Sequence, residues 1–236
     1  MAGQAASADS PVTAATEQNG RRANSNDRAP LSPRGERTRA VLVSAARRVF
    51  ERDGFLQARI TDITAEAGVA TGSFYTYFAG KEEAFAAVLE DLEEEMLHPG
   101  LVVPAADRDD PVAVIEATNR AYLESYRRNA KLMGLMEQVA QVDPEFRELR
   151  VRRTRAFIQR NTRALRRLQE RELADPDLDP ALAALALSTM VSKTAYARYV
   201  LGFGNASTDA LSETLTRLWV GALGLDSRTK PAKETN

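Results

Sequence analysis

Residues 58–81 read ARITDITAEAGVATGSFYTYFAGK, and this stretch decides the fold of the 236-residue chain. Its apolar residues recur at helical spacing and predict one short helix over 60–67 and a second over 71–77. Gly68 stands between them, where the end of the first helix needs a left-handed residue. In a helix–turn–helix the first helix braces across the DNA backbone and the second enters the major groove. The stretch therefore predicts a DNA-binding motif.

Short segments in and just after this stretch match a known pattern: Asp62-Ile63, Ala67-Gly68-Val69, GSFYTYF at 72–78 and Lys81-Glu82. Through them, residues 34–85 resemble the DNA-binding part of TetR-type transcriptional regulators. The resemblance implies an all-α fold, in which an N-terminal helix–turn–helix domain of three helices precedes a larger helical domain for ligand binding and dimerisation. It also implies a palindromic double-stranded DNA operator, a homodimer, a small-molecule effector that releases the operator, and no cofactor. We therefore expect a repressor.

The resemblance assigns DNA contacts to individual side chains. The start of the second helix matches the family's reader of base edges, and one position on the first helix matches a supporting contact. Phosphate contacts fall to Tyr75, Tyr77 and Lys81. The expected DNA-binding residues are Arg59, Thr61, Thr71, Gly72, Ser73, Tyr75, Tyr77 and Lys81.

Two positions depart from the family pattern, because many relatives carry a capping Ser or Thr where Arg59 and Ala70 stand. Arg59 cannot cap its helix, but it could reach a phosphate or a base. Ala70 leaves the capping of the second helix to Thr71 or to no side chain. The alternative of a motif used only for packing does not explain why polar residues cover the exposed face of the second helix.

The charge of the chain is unevenly distributed, although its net value is only −1. Between residues 34 and 81 there are eight basic and five acidic residues, whereas residues 82–95 contain seven acids and no base. A modestly basic surface suits phosphate contact, and we expect the acidic segment to lie away from DNA.

Helical periodicity continues through the rest of the chain, and the motif Asp-Pro starts three of the helices. Further helices are predicted over 35–52, 82–97, 111–129, 131–142, 144–173, 180–201 and 209–223. The expected domains are a disordered tail (1–33), a DNA-binding domain (34–81), an effector-binding and dimerisation domain (82–226) and a flexible tail (227–236). Arginines of the N-terminal tail could reach a minor groove, or the tail could be idle.

The predicted helix 144–173 is rich in arginine, with ten arginines against four glutamates between residues 145 and 172. Three interpretations remain open. The arginines could form a second polyanion site, hold an anionic ligand near a pocket mouth by bidentate pairing, or form a solvated face that pairs with the acidic segment 82–95.

The sequence also suggests which residues meet the effector and the partner subunit. Adaptable methionines and amphipathic tyrosines suit a pocket for a largely apolar ligand, although they suit an ordinary core equally well. The candidate effector-binding residues are Tyr122, Tyr126, Met133, Met136, Phe157, Met190 and Tyr196. By resemblance, the last two helices form the dimer interface, with Tyr199, Leu215, Leu218 and Trp219 as candidates.

An all-helical metalloenzyme is the rival class, because Glu95 and His98 spell Glu-x-x-His, half of a helical di-iron motif. Such sites use two of these motifs, and His98 is the single histidine of the chain. We therefore expect neither a metal nor an enzyme; iron content would separate this alternative. A helical adaptor that binds only protein would leave the exposed tyrosines of the second helix unexplained.

No cysteine is present, so disulfides and thiolate sites are excluded. The N-terminus lacks the apolar segment of a signal peptide, and the longest apolar run, 181–190, is too short to span a bilayer. We expect a soluble cytoplasmic protein.

Overall fold

A computed structural model describes residues 30–97 and 109–225. The chain is all-α, as predicted, and the described residues form nine helices. They are α1 (Pro33–Gln57), α2 (Ile60–Ala67), α3 (Thr71–Tyr77), α4 (Lys81–Leu97), α5 (Pro111–Arg128), α6 (Ala130–Val142), α7 (Pro144–Glu170), α8 (Pro180–Tyr199) and α9 (Thr208–Leu223). None of these helices is both long and apolar enough to cross a membrane.

The predicted Asp-Pro helix starts are confirmed at α5, α7 and α8. Asp110, Asp143 and Asp179 each accept a hydrogen bond from a backbone amide of the first turn, and a proline follows at the first helical position. These caps satisfy amides that have no partner within the helix.

α1 begins earlier than predicted, because Ser32 and Pro33 form a start of the same kind. The Ser32 side chain accepts a hydrogen bond from the amide of Gly35 at 3.3 Å. Ser32 and Pro33, expected in the tail, therefore belong to the start of the helix, and residues 1–29 of the predicted tail lie outside the described residues. Helical geometry breaks at Gly54 (φ 76°), two residues after the predicted end of the helix, but one further turn follows to Gln57.

Two later helices end before their predicted limits. α7 stops at Glu170 because Glu172 adopts a left-handed φ of 56°, which an α-helix cannot continue. α8 stops at Tyr199, and Gly202 follows with a φ of 74°.

An aromatic cluster joins α1, α4 and α7. The rings of Phe50 and Phe85 meet edge to face with centroids 4.9 Å apart, Phe55 lies 5.0 Å from Phe85, and Phe146 of α7 lies 5.4 Å from Phe85. Contacts of this kind stabilise beyond the apolar area that they bury. The cluster fixes the helices before and after the helix–turn–helix onto α7.

The remaining helices surround a second part of the core. α7 packs between α6 and α8, α5 packs along α9, and α4 contacts both α5 and α7. The described residues from Leu31 to Leu225 belong to one compact unit, and α1 packs on α4 and also on α6. The domain boundary expected after Lys81 therefore stays a prediction, as does the C-terminal tail, which lies outside the described residues.

Candidate nucleic-acid interface and effector cavity

The turn between α2 and α3 has the geometry that the sequence predicts. Gly68 caps α2 with φ 66° and ψ 31°, and the amide of Val69 donates to the carbonyl oxygen of Thr64 at 3.0 Å. A side chain at Gly68 would be strained in this conformation. Behind the turn, Phe74 and Phe78 are fully buried and hold α3 against the core.

The face of α3 that points away from the core is polar and accessible. Thr71 and Gly72 are exposed, Ser73 and Tyr77 are half-buried, and Tyr75 is 56% exposed. A Cβ placed at Gly72 would meet no atom within 4 Å. Nothing within the chain therefore requires glycine there, whereas close approach of a partner backbone would.

A pair of threonines joins α2 to α3. The Thr64 hydroxyl donates to the carbonyl oxygen of Thr61 at 3.1 Å and lies 3.2 Å from the Thr71 hydroxyl. Because a hydroxyl has one hydrogen, the Thr71 hydroxyl must be the donor in the second contact. Thr71 is thereby oriented at the start of α3, and its oxygen keeps its capacity to accept a hydrogen bond from a base.

The two departures from the family pattern are visible as uncapped helix starts. Arg59 precedes α2 and Ala70 precedes α3, and neither helix has a side-chain hydrogen bond at its N-cap. Thr71 does not substitute for the missing cap, since its hydroxyl is directed at Thr64. Arg59 and Thr61 are both exposed beside the start of α2.

Lys81, expected to bind phosphate, is turned towards the protein. Its Nζ donates to the carbonyl oxygens of Phe55, Leu56 and Ala58 at 3.0, 3.1 and 3.3 Å, and it lies 5.0 Å from the centroid of the Phe55 ring. An ammonium group has three hydrogens to donate. A phosphate contact by Lys81 would therefore require at least one of these bonds to break.

A cavity of about 270 Å³ lies between α5, α6, α7, α8 and α9. Six of the seven predicted effector-binding residues line it; they are Tyr122, Tyr126, Met133, Met136, Phe157 and Tyr196. The seventh, Met190, is half-buried and packs against the core without lining the cavity. The binding role of all seven stays a prediction.

Tyr122 and Tyr126 remain protonated over the physiological range. Burial raises the pKa of Tyr122 to about 12, and it also raises the pKa of Tyr126. A protonated hydroxyl can donate a hydrogen bond, so both side chains offer donors to a ligand in the cavity. The rings of Tyr122 and Phe157 meet nearly at right angles with centroids 5.8 Å apart.

The arginine-rich helix α7 has two different faces. Six of its nine arginines are exposed, whereas Arg150 and Arg160 are half-buried and Arg153 is buried with 5% of its surface exposed. The last three line the cavity, together with Lys193 and a single carboxylate, that of Glu137. Four cationic side chains against one anion give the described lining an excess of positive charge.

Arg153 and Arg160 also connect the cavity to α4. One guanidinium nitrogen of Arg153 contacts the sulfur of Met96, and Arg160 donates to the carbonyl oxygen of Leu97 at 3.0 Å. The last turn of the helix that follows the helix–turn–helix is therefore held by side chains that line the cavity.

A polar network at Glu95 ties α4 to α1 and to the end of α5. The carboxylate pairs with Arg47 and Arg128, each at 3.5 Å, and accepts a hydrogen bond from Asn129 at 3.2 Å. Burial alone would raise the pKa of Glu95, but the Asn129 hydrogen bond and the two arginines outweigh it and lower the pKa. Asn129 also accepts a hydrogen bond from Arg47.

This network gives Glu95 a role that needs no metal. Its expected partner in the di-iron alternative, His98, lies outside the described residues. Within residues 30–97 and 109–225, no three His, Cys, Asp or Glu side chains are grouped so that they could hold a metal ion.

The candidate dimer residues differ in their accessibility. Leu215 and Trp219 are buried within the chain, and Trp219 lines the cavity. Tyr199 is half-buried and its hydroxyl is 2.9 Å from that of Thr208, so only Leu218, which is 50% exposed, presents an apolar surface. Two exposed leucines on α8, Leu182 and Leu185, were not among the residues predicted for the dimer interface.

The second helix of the helix–turn–helix is accessible, and the helices that follow enclose a cavity. This combination is typical of DNA-binding proteins that respond to a ligand. The family model described as "Bacterial regulatory proteins, tetR family" matches residues 42–88. The chain is 31% identical over 192 residues to the HTH-type transcriptional repressor SCO4008 of Streptomyces coelicolor, covering 77% of this chain and 93% of that protein. The chain belongs to the TetR family of transcriptional regulators.

Two further comparisons agree with this assignment. The HTH-type transcriptional regulator TtgR of Pseudomonas putida is 26% identical over 164 residues, which cover 66% of this chain and 77% of that protein. A putative TetR-family regulator from Mesorhizobium loti has the same fold, with a TM-score of 0.69 at 17% identity over 80% of this chain and 98% of that one. Transcriptional regulators of this family are not enzymes, bind DNA and typically act as dimers with small-molecule effectors.

Proposed function

We propose that this chain is a repressor that binds a palindromic operator as a homodimer and leaves it when a small molecule enters the cavity. The exposed polar face of α3, open at Gly72 and held in place by the left-handed turn at Gly68, is the observation that carries this proposal. The relative SCO4008, which is named a repressor, supports the direction of regulation.

DNA contact is assigned to the exposed side chains on and before α3. Thr71, Gly72 and Ser73 approach base edges, because they start the helix that enters the major groove. Tyr75 and Tyr77 contact phosphates through their hydroxyls. Arg59 and Thr61 add contacts from the start of α2, and Lys81 holds the end of α1 in place, since its three donors point inward.

The partner subunit is assigned to the exposed leucines of the last two helices. Leu182 is 66% exposed, Leu185 45% and Leu218 50%. Leu182 and Leu185 stand three residues apart on α8 and share one face of it, and exposed apolar groups that lie together mark interaction sites. A two-fold dimer formed there would present its two α3 helices to half-sites one turn of DNA, about 34–36 Å, apart.

The proposed signal passes from α7 to α4. α7 lines the cavity with three arginines, two of which contact Met96 and Leu97 at the end of α4. Phe146 at the start of α7 packs on Phe85 of α4. A ligand that shifts α7 would change the position of α4, and with it the separation of the two DNA-binding motifs.

The test is selection of binding sites from a pool of random DNA duplexes by wild type, Ser73→Ala and Tyr75→Ala. Wild type is expected to select a two-fold symmetric sequence. Ser73→Ala should lose the preference for one base at the position that it contacts, whereas Tyr75→Ala should select the same sequence with lower affinity. Selection of the same sequence with equal affinity by all three proteins would contradict the assignment of α3.

A further inference from the structure

Arg153 is a buried cation that has no anionic partner among the described residues. Its guanidinium donates to the sulfurs of Met133 and Met136 at 3.1 and 3.4 Å and contacts the sulfur of Met96. Thioether sulfur is a weak acceptor. Within residues 30–97 and 109–225, no carboxylate forms an ion pair with it.

The neighbouring carboxylates do not compensate for the burial of the Arg153 charge. Glu93 and Glu137 lie close enough to favour the charged form, but burial outweighs them and lowers the pKa of Arg153. Glu137 is itself paired with Arg150 at 3.2 Å. A guanidinium stays charged in proteins, so the cost of burying it is not avoided by losing a proton. Such a cost is expected where the charge serves binding.

The cavity around Arg153 is suited to a molecule with one anionic end. Arg160 and Lys193 add positive charge to the described lining, and Nε of Arg150 is buried without a hydrogen-bond partner. The rings of Tyr122 and Phe157 supply apolar surface in the same lining. Pockets of this kind combine apolar walls with a few polar groups that fix the orientation of the ligand.

We infer that the effector is an amphiphilic anion whose carboxylate, sulfonate or similar oxyanion pairs with Arg153 while its apolar body lies against the aromatic wall. The inference rests on the proposed function, since it names the chemistry of the ligand for the same cavity. Arginine presents parallel N–H donors that match two oxygens of such a group, which gives both affinity and orientation.

The same contact explains how an anion is sensed. The guanidinium nitrogen that touches Met96 belongs to the group that the anion would engage. An oxyanion is a far stronger acceptor than a thioether, so its arrival draws this nitrogen away from Met96 and releases a contact on the last turn of α4. A neutral molecule of the same shape fills the cavity without this effect.

Two fluorescent dyes that differ by one sulfonate group test the inference. The anionic dye is 8-anilinonaphthalene-1-sulfonate, and the neutral dye is N-phenyl-1-naphthylamine, which has the same rings. Both are titrated into wild type, Arg153→Met and the control Arg155→Met, an exposed arginine of the same helix. Methionine keeps an unbranched apolar chain at a site already surrounded by methionine sulfur, so Arg153→Met is expected to fold.

Wild type and Arg155→Met are expected to bind the anionic dye more tightly than the neutral one. Arg153→Met should bind the anionic dye about tenfold more weakly or worse, as loss of a charge-assisted hydrogen bond predicts, and should bind the neutral dye as wild type does. Equal loss of both dyes, no loss of either, or a neutral dye that binds wild type as tightly as the anionic one would overturn the anionic assignment.

The neutral dye separates failure of this inference from failure of the proposed function. If the neutral dye binds in the cavity and the sulfonate adds nothing, the cavity remains an effector site and only the anionic chemistry is wrong. If neither dye binds wild type, the assignment of the cavity as an effector site fails, and the inference fails with it.

Discussion

The ammonium nitrogen of Lys81 lies 3.0 Å from the carbonyl oxygen of Phe55 and 5.0 Å from the centroid of its ring. Lys81 is the first residue of α4, and Phe55 lies in the last turn of α1. One side chain therefore satisfies carbonyl groups that the end of α1 leaves without partners. The contact fixes the helix before the helix–turn–helix to the helix after it.

We expect Lys81→Met to lower the free energy of unfolding by about 1.5–3 kcal/mol, the range for hydrogen bonds to a charged group. The measurement is urea denaturation at neutral pH, with Lys131→Met, an exposed lysine of α6, as the control. The salt dependence of DNA binding should change little. If stability is retained and the slope of log K against log salt falls by about 0.9, Lys81 is a phosphate contact instead.

Gly72→Ala should weaken DNA binding by about tenfold or more while leaving the fold intact. The structure has room for the added methyl group, and alanine in place of a helical glycine stabilises by about 0.5–1 kcal/mol. Any loss of binding therefore reports on the approach of DNA. Thermal unfolding and operator titration are measured on the same preparation; unchanged affinity would show that α3 does not approach DNA at this residue.

Without ligand, the free energy of unfolding of Arg153→Met should equal or exceed that of wild type. The substitution removes a buried charge that lacks an anionic partner among the described residues. Urea denaturation compares it with Arg155→Met. A loss of about 3 kcal/mol or more, typical of breaking a buried ion pair, would show that a partner outside the described residues satisfies the guanidinium.

Glu95→Gln should lower stability at neutral pH by about 0.5–1 kcal/mol, a modest value because the site is partly open to solvent. The folded-state pKa of Glu95 lies below its ordinary value of 4.5, so the carboxylate favours the folded state. This contribution is complete above pH 4.5 and is lost as the pH falls through the lowered pKa.

Denaturation of wild type and Glu95→Gln at several pH values checks this dependence, with Glu148→Gln, an exposed residue of α7, as the control. The difference between wild type and Glu95→Gln should shrink towards acid pH. A difference that stays constant or grows as the pH falls would mean that the network does not depend on the ionised carboxylate.

Leu218→Glu should shift the protein from a dimer towards the monomer mass of 25.9 kDa. A buried glutamate without a partner is costly at a subunit interface. Val142→Glu is the control, because Val142 is 81% exposed at the end of α6, a helix to which the proposed interface is not assigned. Sedimentation equilibrium measures both; an unchanged dimer in Leu218→Glu would place the interface elsewhere.

The sequence predicted the helices because helix starts and periodicity are local properties. The start of α1 at Ser32 and Pro33 was not predicted, because these residues adjoin a polar segment that was expected to be a tail. Arg153 shows that composition alone does not distinguish a buried arginine from the exposed ones on the same helix. It stands four residues after Leu149 and four before Phe157, on the stripe that faces the core, and this spacing could have separated it from the exposed arginines of α7.

Other features depend on tertiary contacts that the sequence does not specify. The three carbonyl groups that hold Lys81 lie 23 to 26 residues away along the chain. Leu215, Leu218 and Trp219 share one amphipathic helix, and only the packing of α9 on α5 decides which of them faces solvent.

Sequence-specific DNA binding by α3 is tested most directly by capture of genomic DNA fragments with wild type and Gly72→Ala. Fragments are retained at near-physiological salt, where non-specific binding is weak, and are then sequenced. We predict that wild type enriches a few fragments that share a two-fold symmetric sequence, and that Gly72→Ala does not. Retention by both proteins without a shared sequence, or no retention by ligand-free wild type, would contradict the account.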